Sequence, residues 1–160
     1  MFGRRSDGKE LKHVSPIFRL MPSLMSKRDD SQVFFNQDLV IGKIEDYINK
    51  KAEEGIRISI IDVVFAGIVR IIAERPKLNR FVTNGRIYAR NKINLTMTVK
   101  KSLTDDADET SIKVDFDGTE NIFEVKEKLQ ALIAENKDIS KENGMDKVAR
   151  TFIKNSFWTY

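Results

Sequence analysis

His13 is the one histidine in the chain and the side chain best suited to general-base chemistry near neutral pH. Val14-Ser15-Pro16-Ile17 follow it, and no acidic residue in the next few positions would orient its ring, so it reads as a solvated surface histidine. Asp105-Asp106-Ala107-Asp108-Glu109 gathers carboxylates of the kind calcium takes, but lacks the glycine and ordered ligand spacing of a calcium loop. It reads as a solvated hairpin loop. Arg80, Arg86, Tyr88 and Arg90 put cations and an aromatic on one hairpin, the raw material of a single-strand nucleic-acid surface. The acidic stretch nearby and the lack of a recognition-helix pattern weigh against that use, so no nucleic-acid partner is expected. Asn94-Leu95-Thr96 has the glycosylation triplet but falls inside a strand pattern in a chain with no export signal. No glycine spacing follows a strand and opens a helix as a phosphate loop requires. Residue types and spacing alone thus give no catalytic, cofactor-binding or metal-ligating set.

Composition narrows the field in the same direction. The 160 residues contain no cysteine, which excludes disulfides, thiolate catalysis and sulfur-ligated zinc. A lone histidine leaves no second imidazole for a His-rich metal site. The formal charge of +4, from 28 basic and 24 acidic side chains, is small and spread along the chain, as on an ordinary mixed surface. Met1 to Lys12 is basic and polar with no apolar h-region, so a cytoplasmic chain is expected. Ile58 to Ala73 is the longest apolar stretch, shorter than the roughly 20 residues a bilayer needs and interrupted by Asp62 and Arg70.

The elements that must carry these residues are legible in part. Residues 1–31 hold charge, Pro16 and Pro22 and no sustained period, and read as an N-terminal arm whose apolar cluster packs over a neighbouring core. Gln32 to Val40 is rich in strand formers and reads as a β-strand. Ile41, Ile44, Ile48 and Ala52 then mark one face of an amphipathic helix, closed by Gly55 as a left-handed residue. The helix after Ser59 is apolar all round, which predicts burial on more than one side; Ser59 and Asp62 give it a capping box, and Arg75-Pro76 its end. Phe81-Val82-Thr83, Asn84-Gly85 and Arg86-Ile87-Tyr88-Ala89 spell a hairpin with a type I′ turn. Ile93, Leu95, Met97 and Val99 alternate with polar residues, as do Ile112, Val114 and Phe116, giving strands of an antiparallel or mixed sheet with one covered face. Asn121 and Glu124 cap a last helix with Ile122, Val125, Leu129, Leu132 and Ile133 on one side. Helices with apolar faces and a sheet that needs cover make an α+β layered domain.

From Gln32 to about Asp138 the order of these elements resembles the amino-terminal half of the chloramphenicol acetyltransferase-like fold, in particular the catalytic domain of the dihydrolipoyl acyltransferases of 2-oxo acid dehydrogenase complexes. The residues that carry the resemblance are the run Gln32 to Val40, the apolar helix 59–74, the step Arg75-Pro76-Lys77-Leu78-Asn79-Arg80-Phe81, the Asn84-Gly85 hairpin and the alternating strand Ile93 to Val99. The resemblance implies a two-layer mixed sheet covered by helices, incomplete at the C-terminus. It divides the chain into the arm 1–31, the acyltransferase-like half 32–138, and a linker and apolar tail 139–160 that reads as truncated.

Proteins of that family move an acyl group between coenzyme A and a thiol or hydroxyl acceptor. A histidine in a His-x-x-x-Asp-Gly motif acts as general base and a serine or threonine hydroxyl holds the oxyanion. This sequence has no such motif, since the residue four after His13 is Ile17, and the family's oxyanion hydroxyl belongs to a later segment. An arginine near the N-terminus steadies the catalytic aspartate in some members, and Arg19 and Arg28 are both open to that role. The resemblance therefore implies an acyl-coenzyme A thioester as substrate only after completion by a C-terminal segment. It also implies a homo-oligomer, by analogy a trimer. The alternative is a non-catalytic scaffold or binding module of the same fold.

Overall fold

The computed structural model describes residues 5–25, 27, 29–100, 109–136 and 151. In chain order its elements are β1 (Gly8–Glu10), α1 (Pro16–Leu24), α2 (Gly42–Glu53), α3 (Ile60–Glu74), β2 (Arg80–Thr83), β3 (Arg86–Arg90), β4 (Ile93–Lys100), β5 (Glu109–Phe116) and α4 (Ile122–Asn136). The predicted α+β class is correct at this level: helices accompany two small antiparallel sheets, ordered β1-β3-β2 and β4-β5. Two units divide the chain, one through Ile93 with residues 117–119, the other of Asn94–Phe116 with the chain from Glu120.

In the first unit the hairpin forms as its turn dictates. Asn84 and Gly85 both take positive φ, 49° and 70°, the pair of left-handed residues a type I′ turn requires. Thr83 therefore faces Arg86, Val82 faces Ile87, Phe81 faces Tyr88 and Arg80 faces Ala89. On the other side of β3, Gly8, Lys9 and Glu10 pair with Arg90, Ala89 and Tyr88. The chain leaves β3 through a bend at Asn91 and Lys92. There the Asn91 amide donates to the Asp7 carbonyl at 3.1 Å and Asn79 Nδ2 to the Lys92 carbonyl at 3.0 Å.

The helix signals are also realised. Ser59 Oγ accepts from the Asp62 amide at 3.2 Å while Asp62 Oδ2 accepts from the Ser59 amide at 2.8 Å, a reciprocal capping box at the head of α3. At the end of α2 the Ile56 amide donates to the Lys51 carbonyl and the Gly55 amide to the Ala52 carbonyl, the two bonds of a Schellman ending.

Four expectations need correction. Gln32 to Val40 forms no strand: Val33, Phe34 and Val40 are more than nine-tenths exposed, and no described strand lies beside them to supply the ladder a strand needs. α3 is not buried all round, because only Asp62 and Val69 are inaccessible, while Ile60, Ile61, Val64, Ile68 and Ile71 face solvent. Its composition states how much burial the helix would gain, not that a covering surface exists. Residues 1–31 carry regular structure after all, in β1 and α1. Among the described residues the strands form two sheets rather than one mixed sheet, since β4 and β5 pair only with each other there.

The second unit holds the most completely buried cluster. Along β5 burial alternates strictly, with Thr110, Ile112, Val114 and Phe116 inside. α4 lays Val125 and Leu129 against that face. Its start is fixed by Asn121, whose Oδ1 accepts from the Phe123 and Glu124 amides at 2.9 and 3.1 Å while Glu124 Oε2 accepts from the Asn121 amide at 2.8 Å. Lys128 spans the layer boundary, its Nζ 5.5 Å from the Phe116 ring centroid and 2.5 Å from Glu120 Oε1. The predicted C-terminal segment 139–160 lies outside the described residues except Thr151, as does most of the acidic loop.

Burial makes the two helices respond differently to truncation. Leu129→Ala removes a fully buried side chain and should cost about 2–5 kcal/mol of unfolding free energy. Ile71→Ala, on the exposed side of α3, should stay within about 0.5 kcal/mol. Urea denaturation of the two variants checks this; a large loss for Ile71→Ala would restore the fully buried reading of α3.

Candidate functional site

Because side chains alternate across a strand, the hairpin register sorts the basic residues onto two faces. Phe81, Tyr88, Arg86 and Arg90 share one face, and Arg80, Val82, Ile87 and Ala89 the other. The hairpin cations singled out in the sequence are therefore not one patch. Tyr88 is buried and stacks on Phe81 with ring centroids 5.3 Å apart, so it has no free face for a base.

On the Phe81 face a charged cluster fastens β1 to the hairpin. Arg5 Nε and Nη2 each donate to one carboxylate oxygen of Asp7 at 2.8 Å, a bidentate pair. Arg90 Nη1 lies 3.5 Å from the same carboxylate. Both guanidiniums sit over Phe81, Arg90 at 4.5 Å and Arg5 at 5.2 Å from the ring centroid. The Arg5 hydrogen bond, with the charges of Arg5 and Arg90 assisting and desolvation opposing, lowers the Asp7 carboxyl to about 2. The same bond raises the Arg5 guanidinium above its ordinary value. Arg86 is held separately by Glu10 at 3.3 Å. β1 also needs a glycine: a Cβ on Gly8 would stand 2.7 Å from the Ala89 carbonyl oxygen and 2.8 Å from Phe81 Cε1.

β2 is one of the two edge strands of this sheet, β1 being the other, and a groove of about 1010 Å³ runs along it. α1 supplies Phe18, Met21 and Pro22, at spacing i, i+3 and i+4 along one side of the helix, and Met25, its C-cap residue, continues that lining. Arg5, Lys27, Arg80 and Arg90 provide its charge, and no acidic residue is among its described lining. Among the described residues, the Arg80 and Lys27 side chains have no ion-pair partner. A second groove of about 700 Å³ shares Phe18, Arg80 and Ile87 with the first and adds Lys12, His13 and Lys77.

The remaining candidates go elsewhere. His13 is exposed and borders the second groove, whose one acidic lining residue among those described, Glu10, is paired with Arg86. Asn94 lies in β4 and donates from Nδ2 to Asp115 Oδ1. Glu109, the last residue of the acidic stretch, opens β5 and sits 3.9 Å from Lys100; Asp105 to Asp108 lie outside the described residues. Of the two arginines the resemblance left open, Arg19 is exposed on α1 and Arg28 lies outside the described residues. No group of three or more metal-ligating side chains occurs among the described residues. Likewise no described helix is long and apolar enough to cross a membrane. Sequence reasoning missed Arg5, Asp7 and Gly8, which acquire meaning only through pairing with β3; the Asn84-Gly85 register was the signal that could have separated Arg80 from Arg90.

Comparison with known proteins returned no match to any family model, any curated protein or any solved structure.

The sign of the Asp7 shift fixes a pH response. A carboxyl depressed from about 3.9 in the unfolded chain to about 2 in the folded one contributes stability that is full above the unfolded value and lost as pH falls. Amide exchange at Lys9 and Leu11, the β1-side amides that face β3, should therefore be insensitive to pH-linked loosening down to about pH 4 and accelerate, relative to the intrinsic rate, between about 4 and 2. In Asp7→Asn that loosening should already be present at neutral pH. Hydrogen-exchange NMR measures both.

Proposed function

We propose that this chain is the amino-terminal portion of a coenzyme A-dependent acyltransferase-like domain, supplying scaffold but not the general base. What supports the reading most is one junction. Pro76 to Asn79 makes a short 3₁₀ turn after the apolar α3, feeds directly into the type I′ hairpin, and is followed by the alternating β4. Asn79 gives the turn a structural purpose by holding the Lys92 carbonyl, so the Pro-x-Leu-Asn step ties the helix end to the start of β4.

The chemistry such a domain performs sets the requirement the chain does not meet. Attack of an acceptor thiol or hydroxyl on a thioester needs a base within hydrogen-bond reach of the acceptor and donors for the oxyanion. The 160 residues contain no His-x-x-x-Asp-Gly, and the carboxylate that shares a groove with His13, that of Glu10, is engaged by Arg86. A complementing segment would have to bring the base, either as further chain or from another subunit.

The exposed apolar surfaces favour completion over a free-standing scaffold. Phe34 and Phe35 are 91% and 83% exposed within a run rich in strand-favouring residues that forms no strand here, and α3 presents Ile60, Val64 and Ile71 to solvent. Both are surfaces that a further strand or helix would cover.

The purified chain should show no coenzyme A release from an acyl thioester in the presence of a dithiol acceptor, measured by thiol titration. Adding a C-terminal segment bearing the His-x-x-x-Asp-Gly motif should restore turnover. Robust turnover by the chain alone would overturn the proposal. A monodisperse, cooperatively unfolding oligomer of the chain alone, seen by light scattering and denaturation, would favour the scaffold.

A further inference from the structure

The open edge of β2 has features that the acyltransferase reading does not use. In a two-residue hairpin the closing pair, Thr83 and Arg86, exchanges hydrogen bonds, and the pairs then alternate along the ladder. Val82 and Arg80 fall at the non-bonded positions, so their N–H and C=O groups point away from β3. No described backbone group bonds to either of them on that side. These outward groups lie on the wall of the larger groove, whose opposite wall is the apolar side of α1.

We propose that this edge binds an extended acidic peptide from another polypeptide as a fourth strand of the sheet. Three observations select that occupant. The outward amides and carbonyls of β2 are matched by another main chain and not by a compact anion, as in strand addition to a groove between an edge strand and a helix. Arg80, at the start of β2 and without an ion-pair partner among the described residues, gives one side-chain row of an added strand a cation to meet, with Lys27 in the same groove lining. Phe18, Met21 and Met25 give the apolar cover that distinguishes such a site from a simple charged edge.

The charge also decides against self-association. Two copies joined edge to edge through β2 would bring the unpaired Arg80 of each into one short ladder, the like-charge arrangement that blocks sheet extension. The same arginine attracts an acidic strand. β2 spans roughly 13 Å at about 3.3 Å per residue, so four to six residues of peptide fill the site. This inference is independent of the acyltransferase reading and does not require completion of that domain.

The test uses the full 160-residue chain and a fluorescein-labelled, end-capped hexapeptide of sequence Glu-Val-Asp-Val-Glu-Val, with anisotropy as readout. Saturable binding is expected, weakening as salt rises. The same peptide methylated at alternate backbone nitrogens, which cannot pair with β2, should bind at least about tenfold more weakly. R80E should weaken the unmodified peptide by about tenfold or more, while R70E, outside the groove and exposed, should leave it unchanged. In the unaltered chain, peptide should slow hydrogen exchange at the Arg80 and Val82 amides, a readout free of any folding defect in a variant. Absence of binding at low salt, equal binding of the methylated peptide, or unchanged exchange at Arg80 and Val82 would each overturn the proposal. Displacement of the peptide by inorganic pyrophosphate with no protection of those amides would assign the groove to small anions and overturn it as well.

Discussion

The register of β2 on β3 is the constraint on which the first unit depends. Asn84 and Gly85 can both hold positive φ with little strain, so the turn closes on two residues and Thr83 must face Arg86. Every later pairing follows by parity. Phe81 lands beside Tyr88, where the two rings make the platform that Arg5 and Arg90 cover, and Arg80 lands on the opposite face. A slip of one residue would exchange those faces and send Phe81 to the side of Val82 and Ile87. β3 then serves as the central strand, with β1 added along its free side by Gly8, a residue that no side chain can replace without striking Ala89 or Phe81.

The second unit rests on a different balance. Its sheet has two strands, a number that is marginal in water without a covering layer. α4 is that layer, and the zero or near-zero exposure of Phe116, Val114, Val125 and Leu129 is where its stability concentrates. The polar face of the sheet is held by cross-strand pairs whose spacing agrees with one antiparallel register: Asn94 with Asp115 at one end and Lys100 with Glu109 at the other. Charged pairs this exposed add register more than energy.

What could be read from the sequence divides by the range of its physical cause. The capping boxes at Ser59 and Asn121, the Schellman ending at Gly55 and the type I′ turn depend on atoms a few residues apart, and all of them formed as expected. The alternation of β5 was visible because a sheet face repeats every second residue. β1 was invisible: Gly-Lys-Glu has no apolar pattern, and its strand exists through pairing with residues about eighty positions away. α1 was obscured by Pro22 in its interior, although Pro16 stands at its first turn where proline is well placed. The run Gln32 to Val40 failed for the opposite reason, since its strand propensity is genuine but propensity does not provide a neighbour. The groove followed the same division. Its cations were noticed as a group, and only the pairing register shows which of them point together.

Charge pairing then separates what is structural in that group from what is available to a partner. Asp7 neutralises part of the charge of Arg5 and Arg90 and commits both to holding β1 over Phe81; Glu10 does the same for Arg86. Arg80 has no such partner among the described residues, and it sits on an edge strand whose backbone also has hydrogen bonds to give. An unpaired arginine on a closed surface would be an ordinary solvated side chain. Beside an open strand edge it sets a selection rule: it repels the identical edge of a second copy and favours carboxylates, so an edge that invites pairing is also restricted in what pairs with it.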